Sequence, residues 1–338
     1  MAWGQRCVKG LAGMTLALAG ALAHAGPYSA MYVFGDSLSD VGNAAAFTSG
    51  LWPSSTYYTY GTVSGRFTNG TNFVDGLSGY LGLIVTPSLA AGTDYAYGGA
   101  RVGSSVVPAF TAQINTFVTG LPGTGADPNA LYVVWIGAND MFDAIEAAAA
   151  ANSLAPVASG VGSAMAGIAT GIGALAASGA QHFLVMNLPD LSLTPAIRGL
   201  GSTQLSTLAQ GASMGFNGAL ANLVGTTLGA LDITLFDVFG AQTEVANNPA
   251  AYGFTNTTDA CYSGDVDGSG RPPGSPVSVC ADASGYMYFD YIHPSSALHS
   301  RMALLAYDAL AVPEPASLSL LLGSLGMMAY LRRRPMRG

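Results

Sequence analysis

Five short apolar runs, rich in β-branched and aromatic side chains, punctuate the sequence at 31–34, 94–97, 131–136, 182–186 and 233–236. Longer segments of Ala, Gly and Leu separate them, and 72–81, 156–177, 202–228 and 296–310 are long enough for helices. Runs that short fit strands buried on both faces. Their alternation with helix-length segments predicts a parallel sheet covered by helices on two sides. Internal glycines blur the ends of the middle helices, since each costs a helix about 1 kcal/mol relative to Ala.

No repeat or linker divides 27–310, so 26–310 reads as one domain. The stretch 256–283 departs from the pattern: it is rich in Gly, Pro, Ser and Asp and contains Cys261 and Cys280, as a long excursion from the fold would. Within it, Asp265-Val266-Asp267-Gly268-Ser269-Gly270 opens like a calcium loop. Pro276 stands where the closing bidentate Glu would fall, which leaves a solvated turn.

The two ends have their own character. Residues 1–25 carry Arg6 and Lys9, an apolar stretch at 11–22 and the small-residue site Ala23-His24-Ala25, the layout of a secretory signal peptide. At 311–338, Val312-Pro313-Glu314-Pro315 is followed by an apolar run at 316–331 and then by Arg332, Arg333 and Arg334. Cys7 leaves with the leader, so Cys261 and Cys280 are the only cysteines of the exported chain, and a disulfide between them is expected in an oxidising compartment.

Charge narrows the function. Between Pro27 and Leu310 the basic residues are Arg66, Arg101, Arg198, Arg271 and Arg301, against every Asp and Glu of the chain except Glu314. Such a surface repels phosphate backbones and argues against nucleic-acid binding.

Three polar clusters follow directly on predicted strands: Gly35-Asp36-Ser37-Leu38-Ser39-Asp40, Gly98-Gly99-Ala100 and Gly137-Ala138-Asn139-Asp140. In an open α/β sheet they would meet at the carboxyl edge, where ligands bind. The fourth cluster is Asp290-Tyr291-Ile292-His293-Pro294, whose spacing lets a carboxylate hold one nitrogen of an imidazole and leave the other free as a base. His182 opens an apolar strand and His299 lies on the last helix without a carboxylate at useful spacing, so both read as structural. Ser37 is then the nucleophile to be activated. The donors for a developing oxyanion are the Ser37 and Gly99 backbone N–H groups and the Asn139 amide, with Gly98 an open alternative to Gly99. The aromatics Trp52, Tyr57, Tyr58 and Tyr60 either line a groove or pack on the domain surface.

These blocks, in this order, resemble the GDSL, or SGNH, family of lipases and esterases. Gly65-Arg66-Phe67-Thr68-Asn69-Gly70, Tyr95-Ala96-Tyr97-Gly98-Gly99-Ala100 and Asn187-Leu188-Pro189-Asp190 extend the likeness across the domain. The resemblance implies a flavodoxin-like three-layer α/β/α fold, Ser37 as nucleophile, Gly99 and Asn139 as oxyanion donors, and His293 oriented by Asp290. The tail resembles the PEP-CTERM sorting signal of exopolysaccharide producers. Together these predict an exported hydrolase of carboxylic esters, working through an acyl-enzyme without metal or organic cofactor. It would be held transiently at the inner membrane and end in the periplasm, outside the cell or on its surface. The expected partners are an ester or lipid substrate, a sorting peptidase and an exopolysaccharide matrix. Competing expectations are an acyltransferase with the same residues and a non-catalytic matrix or surface protein of the same fold.

Overall fold

A computed structural model describes residues 27–270 and 274–310. The expected signal peptide and C-terminal tail lie outside the described residues. Residues Tyr28–Leu310 form one compact unit.

Its centre is a parallel four-stranded sheet in the order β1 (Met31–Gly35), β4 (Leu131–Trp135), β5 (His182–Met186) and β6 (Asp232–Phe236), with Met31 opposite Leu131, Leu131 opposite His182 and His182 opposite Asp232. Two-residue strands β2 (Thr59–Tyr60) and β3 (Val63–Ser64) form a small antiparallel pair outside it. The fifth expected strand, 94–97, is not a regular strand. It nonetheless runs beside β1: the Val33 N–H donates to the Thr93 carbonyl at 3.0 Å, and Tyr95 and Tyr97 donate to Val33 and Gly35 at 2.7 and 3.2 Å. Its other side is engaged at Thr86, which accepts from Asp94, rather than by a neighbouring strand, which limits its regular pairing. Counted with this segment, the parallel strands stand in the order 2-1-3-4-5 of flavodoxin-like sheets.

Strand alternation sorts the side chains onto two faces. Phe34, Tyr132, Val134, Phe183 and Val185 share one core with residues of α3 (Phe110–Gly120), α4 (Ala138–Ala151), α5 (Ala155–Ala177) and α7 (Thr203–Gly225). On the opposite face Met31, Val33, Leu131, Val133, Trp135, Leu184 and Met186 are buried, with the Phe73 ring edge-on to Trp135 at 5.4 Å. Phe73 opens α2 (Phe73–Leu81), which packs on α9 (Ser296–Ala309). Asn72 and Asp75 close a capping box at the start of α2, so its entry is fixed by two reciprocal hydrogen bonds. Helix α5 is long and apolar enough to cross a membrane, but Ile168, Ile172 and Leu175 face the core of this unit. Shorter helices α1 (Asn43–Phe47), α6 (Pro195–Arg198) and α8 (Val238–Asn247) complete the unit.

The excursion is built on β7 (Asn256–Ala260) paired in parallel with β8 (Tyr286–Tyr288). Cys261 and Cys280 are bonded across it, and the Cys280 N–H donates to the Cys261 carbonyl at 2.8 Å. Cys261, Tyr262 and Phe289 enclose Tyr58 in a small core of their own. The calcium-like segment is a turn, with the Gly268 N–H donating to the Asp265 carbonyl at 2.8 Å.

Candidate active site

The carboxyl ends of β1 and β4 deliver Ser37 and Asn139 to one edge of the sheet, and the loop after β8 brings His293 to the same place. His293 Nε2 lies 2.8 Å from Ser37 Oγ and Nδ1 lies 2.6 Å from Asp290 Oδ2. All three side chains are buried, and Ser37, the least so, keeps 8% of its surface. The i, i+3 spacing acts as expected, with one addition: Asp290 Oδ1 also accepts the N–H groups of Ile292 and His293 at 2.8 and 2.7 Å. The carboxylate therefore shapes the loop that carries the imidazole.

A fourth donor reaches the carboxylate from far away in the chain. The buried Tyr58 hydroxyl donates to Asp290 Oδ2 at 2.6 Å. Burial alone would push the Asp290 carboxyl up, but His293, Tyr58 and the backbone N–H groups outweigh it and hold the group below the ordinary carboxylate range.

The two glycines of the second cluster have different fates. Gly98 gives its N–H to Asp40 Oδ2 at 2.8 Å. The Gly99 N–H meets no acceptor among the described residues, and neither does that of Ser37. A Cβ on Gly98 would fall 2.0 Å from the Phe67 ring, which in turn lies 5.3 Å from the His293 ring between centroids. Gly99 has φ +78 and its Cβ would strike Trp52 at 2.3 Å, so glycine is required by both backbone and space. Asn139 spends one amide hydrogen on the Ala100 carbonyl at 2.9 Å, and its second meets no acceptor among the described residues. Asn139, Ser37 and His293 line a common cavity with Asp36, Phe142 and Ile292. Gly99 is not among the residues lining it.

Two acidic residues of the first cluster do work that spacing did not reveal. Asp40 is fully buried and accepts four backbone N–H groups, from Gly42, Asn43, Ala44 and Gly98, so it caps α1 and tethers the glycine loop at once. Burial pushes its pKa up to about 6 despite these bonds. Asp36 holds the Leu38 N–H through Oδ1 at 3.0 Å, while Oδ2 has no partner among the described residues, and burial pushes its pKa up to about 7.

None of the four residues of the aromatic stretch lines the cavity beside Ser37. Tyr58 is bound to Asp290, Tyr57 stacks on Tyr262 at 4.8 Å, Trp52 covers Gly99, and Tyr60 is exposed. His182 pairs with Asp232 on the surface at 2.7 Å, and the buried His299 accepts the Phe73 N–H through Nδ1 at 3.2 Å, with burial pulling its pKa down to about 3. Neither contacts Ser37, His293 or Asp290 through a hydrogen bond among the described residues. For Tyr58 no sequence signal existed, because its partner is 232 residues away.

The sequence model for GDSL-like Lipase/Acylhydrolase matches residues 31–306, and that for the PEP-CTERM protein-sorting motif matches 311–334. A GDSL esterase/lipase of Arabidopsis thaliana is 26% identical over 314 residues, covering 79% of this chain and 82% of the relative. The phosphatidylcholine-sterol acyltransferase of Aeromonas hydrophila is 26% identical over 340 residues, covering 88% and 93%. A crystal structure described as a GDSL-like lipase from Parabacteroides merdae overlays with a TM-score of 0.41 at 12% identity, covering 85% of this chain and 97% of that one.

Proposed function

The chain belongs to the GDSL-like lipase/acylhydrolase family, and from that premise we propose that it is an exported serine hydrolase of carboxylic esters, with Ser37 as nucleophile, His293 as base and Asp290 as the orienting acid. The observation that carries this reading is the buried, hydrogen-bonded series Asp290, His293, Ser37 at 2.6 and 2.8 Å.

Ser37 Oγ attacks the ester carbonyl carbon as its proton passes to His293 Nε2, giving a tetrahedral oxyanion. Asp290 keeps the Nδ1 proton in place, so the imidazole presents Nε2 as acceptor and its positive form faces a fixed negative charge. The unpartnered N–H groups of Ser37 and Gly99 and the free hydrogen of the Asn139 amide are the donors for the oxyanion. Each such donor contributes about 3 kcal/mol in comparable sites. Gly99 is preferred to Gly98 because the Gly98 N–H already serves Asp40. Collapse expels the alcohol, which takes the proton from His293. Water, deprotonated by His293, then attacks the acyl-enzyme, and the second tetrahedral intermediate releases the acid and restores Ser37.

A second reading rests on the likeness to the Aeromonas hydrophila acyltransferase: an alcohol replaces water in the second step. Acceptor competition separates the two. Transesterified product growing at the expense of free acid, at low acceptor concentration, would favour transfer.

The sorting motif at 311–334 indicates export. On our reading the 1–25 leader is removed, the apolar run at 316–331 holds the chain transiently at the inner membrane with its arginines inside, and a sorting peptidase cuts near Pro313 to Pro315. Association with an exopolysaccharide matrix would follow that release. The activity is tested with nitrophenyl esters of graded acyl length, a phospholipid and an acetylated glycan, each against Ser37→Ala. Turnover of at least one class that disappears in the variant supports the reading, and turnover that persists in the variant removes it.

A further inference from the structure

We infer that Tyr58 is a positioning residue for the proposed reaction: its hydroxyl fixes the Asp290 carboxylate and sets how strongly that carboxylate holds the His293 imidazole. The proposal rests on the assignment of Ser37, His293 and Asp290 made above.

Asp290 Oδ1 is occupied by two backbone N–H groups, which lock the loop. Oδ2 accepts from His293 Nδ1 and from Tyr58, both at 2.6 Å. A carboxylate has about four acceptor positions, so Tyr58 completes its set. The Tyr58 hydroxyl shares an oxygen with the imidazole, so it draws charge from the atom that faces the ring. Burial and the neighbouring Asp290 raise the phenol far above its ordinary value, which keeps it a donor throughout the working pH range.

The tyrosine is itself held. Its ring is edge-on to Phe289 at 5.1 Å and to Tyr262 at 5.5 Å, and Tyr57 stacks on Tyr262 from the next position. Tyr262 adjoins the Cys261–Cys280 bond, and the Ser54 N–H donates to the Val266 carbonyl at 2.7 Å, which joins the tyrosine's own segment to the excursion. The excursion thus clamps the hydroxyl against the acid. Other ionisable groups that influence the pair are Asp36 after β1, His299 on α9 and Tyr262 in the excursion.

Removing the hydroxyl concentrates negative charge on Oδ2 and stabilises the imidazolium. Tyr58→Phe should therefore move the His293 titration and the acidic limb of the kcat/KM profile upward, and, because the carboxylate is left less firmly positioned, lower kcat several-fold with little change in KM. Replacing Tyr58 by 3-fluorotyrosine, a stronger donor, should move the titration the other way. Ring-nitrogen NMR of His293 in a Ser37→Ala background reads the titration in resting protein without any turnover, so it fails or succeeds independently of the esterase assignment. Fluorotyrosine preserves the ring packing and serves if the Phe variant is poorly folded. Opposite shifts from the two replacements support the proposal. Titrations that coincide with the parent in both, or that shift in the same direction, overturn it.

Discussion

Asp40→Ala is the substitution whose cost the structure allows to be worked through. The carboxylate satisfies four backbone donors in a site closed to solvent. An orphaned buried donor costs about 1–3 kcal/mol, so at about 2 kcal/mol each the four come to about 8 kcal/mol. An opposing gain is the relief of a buried charge. The pKa is pushed up to about 6 from 3.8, and about two units correspond to about 3 kcal/mol at pH 8, where the native group is ionised. About 5 kcal/mol of destabilisation should remain, near the top of the range for single substitutions. Asp40→Asn keeps one acceptor and presents a donor to N–H groups, so it should fall between the parent and Ala. The assay is urea unfolding at pH 8 followed by tryptophan fluorescence and extrapolated to water. Since Gly98 is one of the four donors, activity per folded molecule should also drop as the Gly98-Gly99 loop loosens. A loss of stability below about 2 kcal/mol for Asp40→Ala would refute the reasoning, because it would mean the four donors find other partners at little cost.

Asp36→Asn should behave in the opposite sense. A folded-state carboxyl raised to about 7 gives full stability below the unfolded value of 3.8 and loses it as pH rises through 7, for about 4 kcal/mol in all. The variant should therefore melt higher than the parent at pH 8, with the gap closing by about pH 4, whereas a pH-independent gap would contradict the burial argument. Replacing Cys261 and Cys280 together by Ala frees a loop of 19-residue separation and should cost about 3 kcal/mol, read as a lower urea midpoint; an unchanged midpoint would show that the bond does not constrain the unfolded chain. Mass spectrometry of protein from the native host should find no peptides from 318–334 in the released fraction, and their recovery there would exclude processing at the Pro-Glu-Pro region.

The sheet was legible because β1, β4 and β5 are buried on both faces over nearly their whole length and so leave apolar runs, with the partly buried β6 still mostly apolar; the runs at 31–34, 131–136, 182–186 and 233–236 coincide with β1, β4, β5 and β6 to within a residue or two. The run at 94–97 opens on Asp94 and pairs with β1 on one side only, its other side being taken by its own turn at Thr86, so it does not form a regular strand. The helices expected at 72–81, 156–177, 202–228 and 296–310 appear as α2, α5, α7 and α9, with the ends of α7 trimmed to Thr203–Gly225. The structure brings together the Ser37 turn and the Asp290–His293 pair, both marked in the sequence by short spacings. What sequence could not show were bonds closed across the fold. Tyr58 lies 232 positions from Asp290, and Gly98 lies 58 from Asp40. Asp40 was visible only as part of a motif, because accepting four main-chain donors leaves no periodic trace.

If Ser37 is the nucleophile, the acyl group is carried on its Oγ and can be trapped there. An activated ester mixed with excess enzyme is quenched in acid within the burst phase, and the digested protein is searched by mass spectrometry for an acyl adduct. One adduct is expected on the peptide containing Ser37, accumulating with the burst of alcohol, absent from Ser37→Ala and strongly slowed in His293→Ala. An adduct on another residue, or a burst of undiminished size in Ser37→Ala, would contradict it.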